Sequence, residues 1–491
     1  MNARGMLGAV VGASLLAVGA ISTVDAQSTY GQTDFEASGS RAAHEVFLNG
    51  LLKLHNFEYE DARASFLEAQ AEDADFVMAY WGEALTYEHP LWRSFDTDAS
   101  RAALAKLAPT AEARVAKART EREKAYIRSL NILFGEGSQE ERELRYADAL
   151  EALHERYPED LDAAALYALA LLATSHGGRD FSIYMRAGAV TEEILDKAPQ
   201  HPGALHYNIH SYDDPVHAPL GLRAADAYVE VAPSAVHALH MGSHIYFALG
   251  MWELGSERNL RAFNEAVARQ ESPDSQYGGQ AYHSLTWLIY SLTQQGKREE
   301  AREKLALIEN QVKRYGGPMN TRSFINARAS YIVDTQEWDS PFAEVEVDYK
   351  GLNANAVATD QYVMGVRALN HGDAAAAKAA LAQIGGAEPM QSANREEMVP
   401  RLLHLGLAAQ IDLEAGRTEQ ALALLEEAVA LESSVPPEYG PAVPVQPIAE
   451  LLGDVYLSLG DNARAKGSYE TALAAYVGRE RSLRGLALAS H

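Results

Sequence analysis

Apolar residues recur along most of the chain at the three- and four-residue intervals of an amphipathic helix. Ala163 to Ala173 and Ala421 to Leu431 are examples, rich in the strong helix formers Ala, Leu and Glu. Alternating strand patterns are nearly absent; Glu344-Val-Glu-Val-Asp is the one short exception. A longer period overlies the helical one. Near the C-terminus, Leu452, Gly453, Tyr456, Gly460, Ala465, Tyr469 and Ala472 place small and aromatic residues around a glycine turn. The same arrangement recurs as Gly50, Ala62, Phe66, Ala69, as Gly296, Ala301, Leu305, Ile308, and as Gly416, Ala421, Leu425, Ala428. Weaker copies are Ala187, Thr191, Ile194 before Pro199, and Ala224, Tyr228, Val231 before Pro233. Gly250, and Gly365 with Gly372, read as further turns. Small residues let two helices approach, and aromatic ones fill the space against the next pair.

These landmarks resemble the tetratricopeptide repeat (TPR), a helix-turn-helix unit of about 34 residues. The resemblance implies an all-α, TPR-like helix-turn-helix solenoid, a right-handed superhelix with irregular repeats. Residues 27–40 are polar and read as a disordered linker. Residues 41–340 form an N-terminal array, Asp339 to Asn355 is a poorly helical break, and 356–434 carry further repeats. Residues 435–447 contain five prolines, so they form a linker or wrapping loop rather than a helix. Residues 448–491 supply the last repeat and a cap. One continuous superhelix is expected, its halves meeting near 340–360.

Composition narrows the function. Arg4, the apolar stretch Leu7 to Ile21 and the small residues around Val24-Asp25-Ala26 read as a signal peptide, residues 1–26, cleaved after Ala26. No later stretch reaches spanning length without charges, so the expectation is a periplasmic or secreted protein with no membrane span after cleavage. The absence of cysteine excludes thiolate ligands, disulfides and cysteine nucleophiles. A net charge of −26 argues against a nucleic-acid partner. Any metal must be held by His, Asp, Glu or backbone oxygen.

Seven of the sixteen histidines lie between His201 and His244, where uniform spacing would put roughly one or two. At 100° per residue, His237, His240 and His244 fall within about 60° of arc on one helix. His206 and His210, four apart, share a face of the preceding first helix, and His283 opens the following one. First helices of a TPR-like array line its concave groove, so these imidazoles are expected to meet there; His44 and His176 fall on first helices of earlier units. His237 and His244 are about 10.5 Å apart along the axis, so all three histidines of that helix do not readily share one ion. The most economical metal site takes His206, His210, His240 and His244. His217, His237 and His283 are further ligand candidates, and Asp213 and Asp214 could orient an imidazole through its other nitrogen. A thiolate-free, histidine-rich set suits zinc, copper or non-haem iron. Tyr207 stands where a zincin has its general-base Glu, so the spacing of His206 and His210 is not that motif.

Glu83, Asp213 and His237 are the candidate catalytic groups. Glu83 also reads as a buried acceptor, and His89-Pro90 ends its helix. His176-Gly177-Gly178-Arg179-Asp180 could form an anion-binding loop but lacks the length and Lys of a phosphate loop. Tyr80-Trp81-Gly82-Glu83-Ala84-Leu85, His89-Pro90-Leu91-Trp92, His201-Pro-Gly-Ala-Leu-His206 and His237-Ala-Leu-His240-Met are similar to landmarks of exported bacterial TPR-like proteins with a histidine-rich centre. That resemblance implies the fold and no activity. Two functions are carried forward. One is a groove with a metal site, acting as a metal-dependent hydrolase or oxidase of a small molecule. The other is a non-catalytic scaffold binding a peptide or protein, with structural histidines.

Overall fold

The computed structural model describes residues 29–270, 275–386, 395–437 and 439–491. The expected signal segment, residues 1–26, lies outside them. The described residues form twenty-three α-helices with two short 3-10 turns, and the only paired strands are Glu88–His89 with Ser94–Phe95. Glu344 to Asp348 does not pair: it follows the short turn Pro341–Glu344 as irregular chain, because no neighbouring strand offers it a ladder.

The repeat signature has a direct packing meaning. A Cβ at Gly50 would stand 2.8 Å from the Phe66 ring, and one at Gly82 2.4 Å from it. Phe66 is therefore seated between glycines of its own pair and of the next helix, Val77–Leu85. Gly453 meets Tyr469 in the same way at 2.8 Å. The turns at Gly250, Gly296, Gly372, Gly416 and Gly460 have φ between +69° and +76°, the left-handed region that side chains disfavour. These pairs make the chain an all-α, TPR-like solenoid.

Helices Leu161–Ala173, Pro202–Tyr212, Val236–Ala248, Gly279–Gln294 and Pro318–Thr335 touch one another in succession as an inner layer. Their partners, Phe181–Lys197, Ala218–Val231, Trp252–Ala268 and Arg298–Tyr315, bury one stripe and leave the rest to solvent. Pro202–Tyr212 and Val236–Ala248 differ in being buried along their whole length.

That burial follows from closure of the array on itself. At one end, Arg41–His55 packs on Pro202–Tyr212, and Phe57 lays its ring against His206 with centroids 4.3 Å apart. At the other, Trp252 Nε1 donates to the Gly478 carbonyl at 2.9 Å. The buried Arg479 guanidinium pairs with Asp334 and, at 2.8 Å, with Glu450. Within the proline-rich segment, Tyr439 stacks on His244 with centroids 4.5 Å apart and Gly440 lies against Trp287.

The expectation of a disordered 27–40 linker is corrected for residues 29–40. Phe35 is buried among Phe47, Trp81 and Tyr126, Thr33 donates to Asp162 at 2.6 Å, and Gln32 N donates to the Gln200 carbonyl at 3.1 Å. One aromatic anchor and a few long-range hydrogen bonds hold a segment whose average composition is polar. No helix among the described residues is long and apolar enough to cross a membrane.

Candidate metal centre

Three successive inner helices bring six imidazoles together at one cavity, five of them in its wall and His206 buried behind it. Pro202–Tyr212 carries His206 and His210, Val236–Ala248 carries His237, His240 and His244, and Gly279–Gln294 carries His283 near its start. The cavity holds about 830 Å³ and is lined by five of these histidines, with Phe57, Tyr59, His89, Trp92 and Tyr439 opposite and Glu58 with Arg269 at one side. The facing side chains come from the two ends of the chain, so the groove is partly roofed rather than open.

The hydrogen bonds fix the proton on several rings. His206 Nδ1 donates to the His55 carbonyl at 2.7 Å. His244 Nδ1 donates to Asp213 Oδ2 at 2.9 Å, and His210 Nδ1 reaches the same oxygen at 3.3 Å. His240 Nδ1 donates to Asn259 Oδ1 at 2.7 Å, and the Asn259 amide is oriented by its own donation to the Gly255 carbonyl at 2.8 Å. Each acceptor lacks a proton to give, so these four rings carry their hydrogen on Nδ1 and present a lone pair from Nε2. These are the four residues singled out from spacing.

The Nε2 atoms converge; two of the contacts, from His237 to His206 and from His283 to His240, are hydrogen bonds accepted by the second ring, and the third sets two lone pairs face to face. His240 Nε2 and His244 Nε2 are 3.1 Å apart, and neither has a proton to share. His283 Nε2 stands 2.9 Å from His240 Nε2, and His237 Nε2 stands 3.1 Å from His206 Nε2. His210 Nε2 is buried with no hydrogen-bond partner. The ligand atoms gather as His206, His210, His237 and as His240, His244, His283, each within 4.8 Å of one another. The four residues expected to share one ion are thus divided between two triplets, each completed by one of the further candidates. Nitrogens that share one ion at about 2.0–2.1 Å lie roughly 3–4 Å apart, which the closest pairs match.

A proton is a poor substitute for a metal cation between these atoms. Burial, with neighbouring His210 for His206 and His283 for His240, holds those two rings well below the usual imidazole range. Burial, then His206, does the same for His237. Burial takes His244 down to about 4 despite the opposing pull of Asp213. Asp213 itself would be raised by burial, but Arg179 and the two imidazoles hold its carboxyl far below the usual range. It stays an anion that orients His210 and His244.

A second buried group, His55, Asp162 and His201, is of another kind. His55 Nε2 donates to Asp162 Oδ1 at 2.9 Å, while its Nδ1 accepts from the Tyr207 hydroxyl at 3.0 Å. His201 Nδ1 accepts from Ala204 N at 3.2 Å, capping Pro202–Tyr212, and its other nitrogen faces Asp162 at 3.3 Å. Both His55 nitrogens are hydrogen-bonded and His201 Nδ1 caps a helix, so these two rings brace the helices behind the cavity, although His201 Nε2 makes no hydrogen bond among the described residues.

The remaining sequence candidates lie elsewhere. His217 is held by Asp214 at 2.9 Å and joins neither triplet. Glu83 is buried on Val77–Leu85, where it accepts from Lys106 at 2.5 Å and Gln70 at 2.7 Å. His44 lies on Arg41–His55 and bonds the Phe35 carbonyl at 2.8 Å. His176 lies in the loop after Leu161–Ala173, not on a first helix, because that helix ends at Thr174; it pairs with Glu143 at 2.5 Å. Arg179 is committed to Asp213 and Asp214, so its loop is not a free anion site. His89 lines the cavity, stacked on Tyr59 at 3.8 Å. Spacing did not single out Asn259, Phe57 or Tyr439; nothing local marks them, since each acts across the closure or between helices.

No protein-family model and no curated protein matches the chain. Among solved structures it is similar to yeast Tom70, at 11% identity over 91% of this chain and 88% of that one, with a TM-score of 0.34. A tetratricopeptide repeat protein from Parabacteroides merdae is 9% identical over 75% of this chain and 99% of that one, with a TM-score of 0.28. The human IFIT1 dimer with m7Gppp-AAAA is 13% identical over 94% and 92%, with a TM-score of 0.38. The fold assignment rests on the helix pairs themselves.

Proposed function

We propose that this chain is an exported TPR-like protein whose closed groove holds a transition-metal centre acting on a small molecule. The observation that carries the reading is the pair His240 and His244. Their Nε2 lone pairs face each other at 3.1 Å while Asn259 and Asp213 keep both protons on the far side of the rings. Two lone pairs at that distance repel, and a shared cation turns the repulsion into ligation. Backing of ligand imidazoles by a carboxylate, a carbonyl or an amide oxygen is what metal-binding histidines ordinarily require.

Zinc, copper and iron all accept imidazole. A bound ion would supply Lewis-acid or redox chemistry. The chain's own contribution is to keep the ligands neutral and pre-oriented, and to leave a cavity of about 830 Å³ beside them, bounded by Trp92, Tyr59 and Tyr439. A cavity of that size with aromatic walls fits a small organic substrate. His89 stands at its wall as a candidate proton carrier, whereas Glu83, paired with Lys106, does not face it.

The test is metal analysis of tag-free protein equilibrated with zinc, copper or iron, beside a His240→Ala/His244→Ala variant. Stoichiometric metal that falls in the variant supports the reading. A wild-type protein that stays metal-free with all three ions overturns it, and a partner captured through the groove would then favour the scaffold.

A further inference from the structure

We infer that the groove holds two copper ions, one on each histidine triplet, rather than a single ion; this rests on the metal-centre reading above. Three observations carry it. The triplets His206, His210, His237 and His240, His244, His283 are each compact enough for one ion and share no residue. One ion with a tetrahedral shell takes four ligands, so a single site would leave at least two of the six clustered imidazoles outside it. The two triplets are also mechanically one unit. Asp213 Oδ2 binds Nδ1 of His210 from the first and of His244 from the second, and those two rings stand 5.2 Å apart by their centroids.

The donor chemistry selects the metal. All six ligands are neutral nitrogens. The imidazole shell itself is neutral, and because Asp213 shares the Arg179 guanidinium with Asp214, the support behind it supplies only about one net negative charge to offset two dications in a buried place. Zinc or ferrous iron would bring four positive charges into that neutral shell, whereas two cuprous ions bring two. Three-imidazole coordination would also leave each ion an open position.

The test is anaerobic titration of the tag-free full chain with Cu(I) against a chromophoric chelator, with zinc in parallel. The expected result is two equivalents of Cu(I) per chain. His283→Gln, at the rim where loss of the ring leaves the fold intact, is expected to retain one. His237→Ala is expected to retain the other one, with its thermal melt recorded to confirm folding. One equivalent in the wild-type chain overturns the pair while leaving a metal centre in place. Two zinc ions with no retained Cu(I) overturn the copper assignment. No bound metal of either kind overturns this inference and the metal-centre reading together.

Discussion

His240 and His244 turn their Nε2 atoms toward each other at 3.1 Å, one helical turn apart on a helix that is buried throughout. What makes the contact meaningful is the far side of each ring, where Asn259 and Asp213 accept the only protons. Replacing Asn259 with Leu would release the His240 proton to Nε2, where it could be donated to His244. Metal affinity is expected to fall about 10- to 100-fold, the usual cost of losing a partner behind a ligand. Chelator competition measures it; an unchanged affinity would mean that the orientation of His240 is immaterial.

Arg479 fastens the closure of the array. It is fully buried and joins Asp334 and Glu450, which lie 145 and 29 residues away in sequence. Burial would lower its pKa, but Asp334 and Glu450 raise it well above the ordinary value, so it remains a cation. Arg479→Met removes the shared cation from two buried carboxylates, leaving Glu450 with Arg481 and Ser482 and Asp334 with Gln294, and should destabilise the fold by about 3–5 kcal/mol. Denaturant unfolding reads this directly. A change below about 1 kcal/mol would show that the C-terminal unit is not held by this network.

The glycines of the repeat can be separated from ordinary helical glycines. Gly82→Ala puts a Cβ 2.4 Å from the Phe66 ring and is expected to cost about 1–3 kcal/mol by overpacking. Gly467, exposed on the helix Asn462–Ala475, has nothing within 4 Å of its added Cβ. Gly467→Ala should instead stabilise by up to about 1 kcal/mol through helix propensity. Thermal melts of the two variants should move in opposite directions; a shared direction would refute the packing account.

Glu88 gives the stability a pH dependence away from the histidines. Burial first, then the nearby Glu143, raises its pKa from 4.5 to about 7, against a hydrogen bond from Gln139 at 3.0 Å. A folded-state pKa above the unfolded one means that the contribution is fully present below pH 4.5 and is lost as pH rises through about 7. Relative to the wild type, Glu88→Gln should therefore gain stability between pH 5 and 8, by roughly 1–3 kcal/mol. A difference that is flat across that range, measured by urea unfolding, would contradict the shift.

Much of the fold was legible because the repeat is a local code. Gly50 with Phe66, and Gly453 with Tyr469, are spaced by the geometry of one helix pair, so the sequence pattern and the contact are the same fact. The register of those pairs also placed His206, His210, His240 and His244 on neighbouring inner helices, and their tautomers turn out to be the ones fixed by hydrogen bonds. What was not legible is closure. The roof over the histidines comes from Phe57 and Trp92 near one end and Tyr439 near the other, and spacing along the chain carries no information about which distant ends meet. For the same reason Phe35, alone among polar neighbours, gave no sign that residues 29–40 are anchored. The split of the four expected ligands into two triplets depended on ring directions within the Val236–Ala248 helix, which a helical wheel does not resolve.

The most direct measurement is anomalous diffraction from crystals of the tag-free protein equilibrated with metal, recorded on either side of the metal's absorption edge. A cation shared by His240 and His244 predicts an anomalous peak about 2.0–2.1 Å from both Nε2 atoms. Fully occupied metal elsewhere in the crystal, with no anomalous density between those two nitrogens, would contradict it.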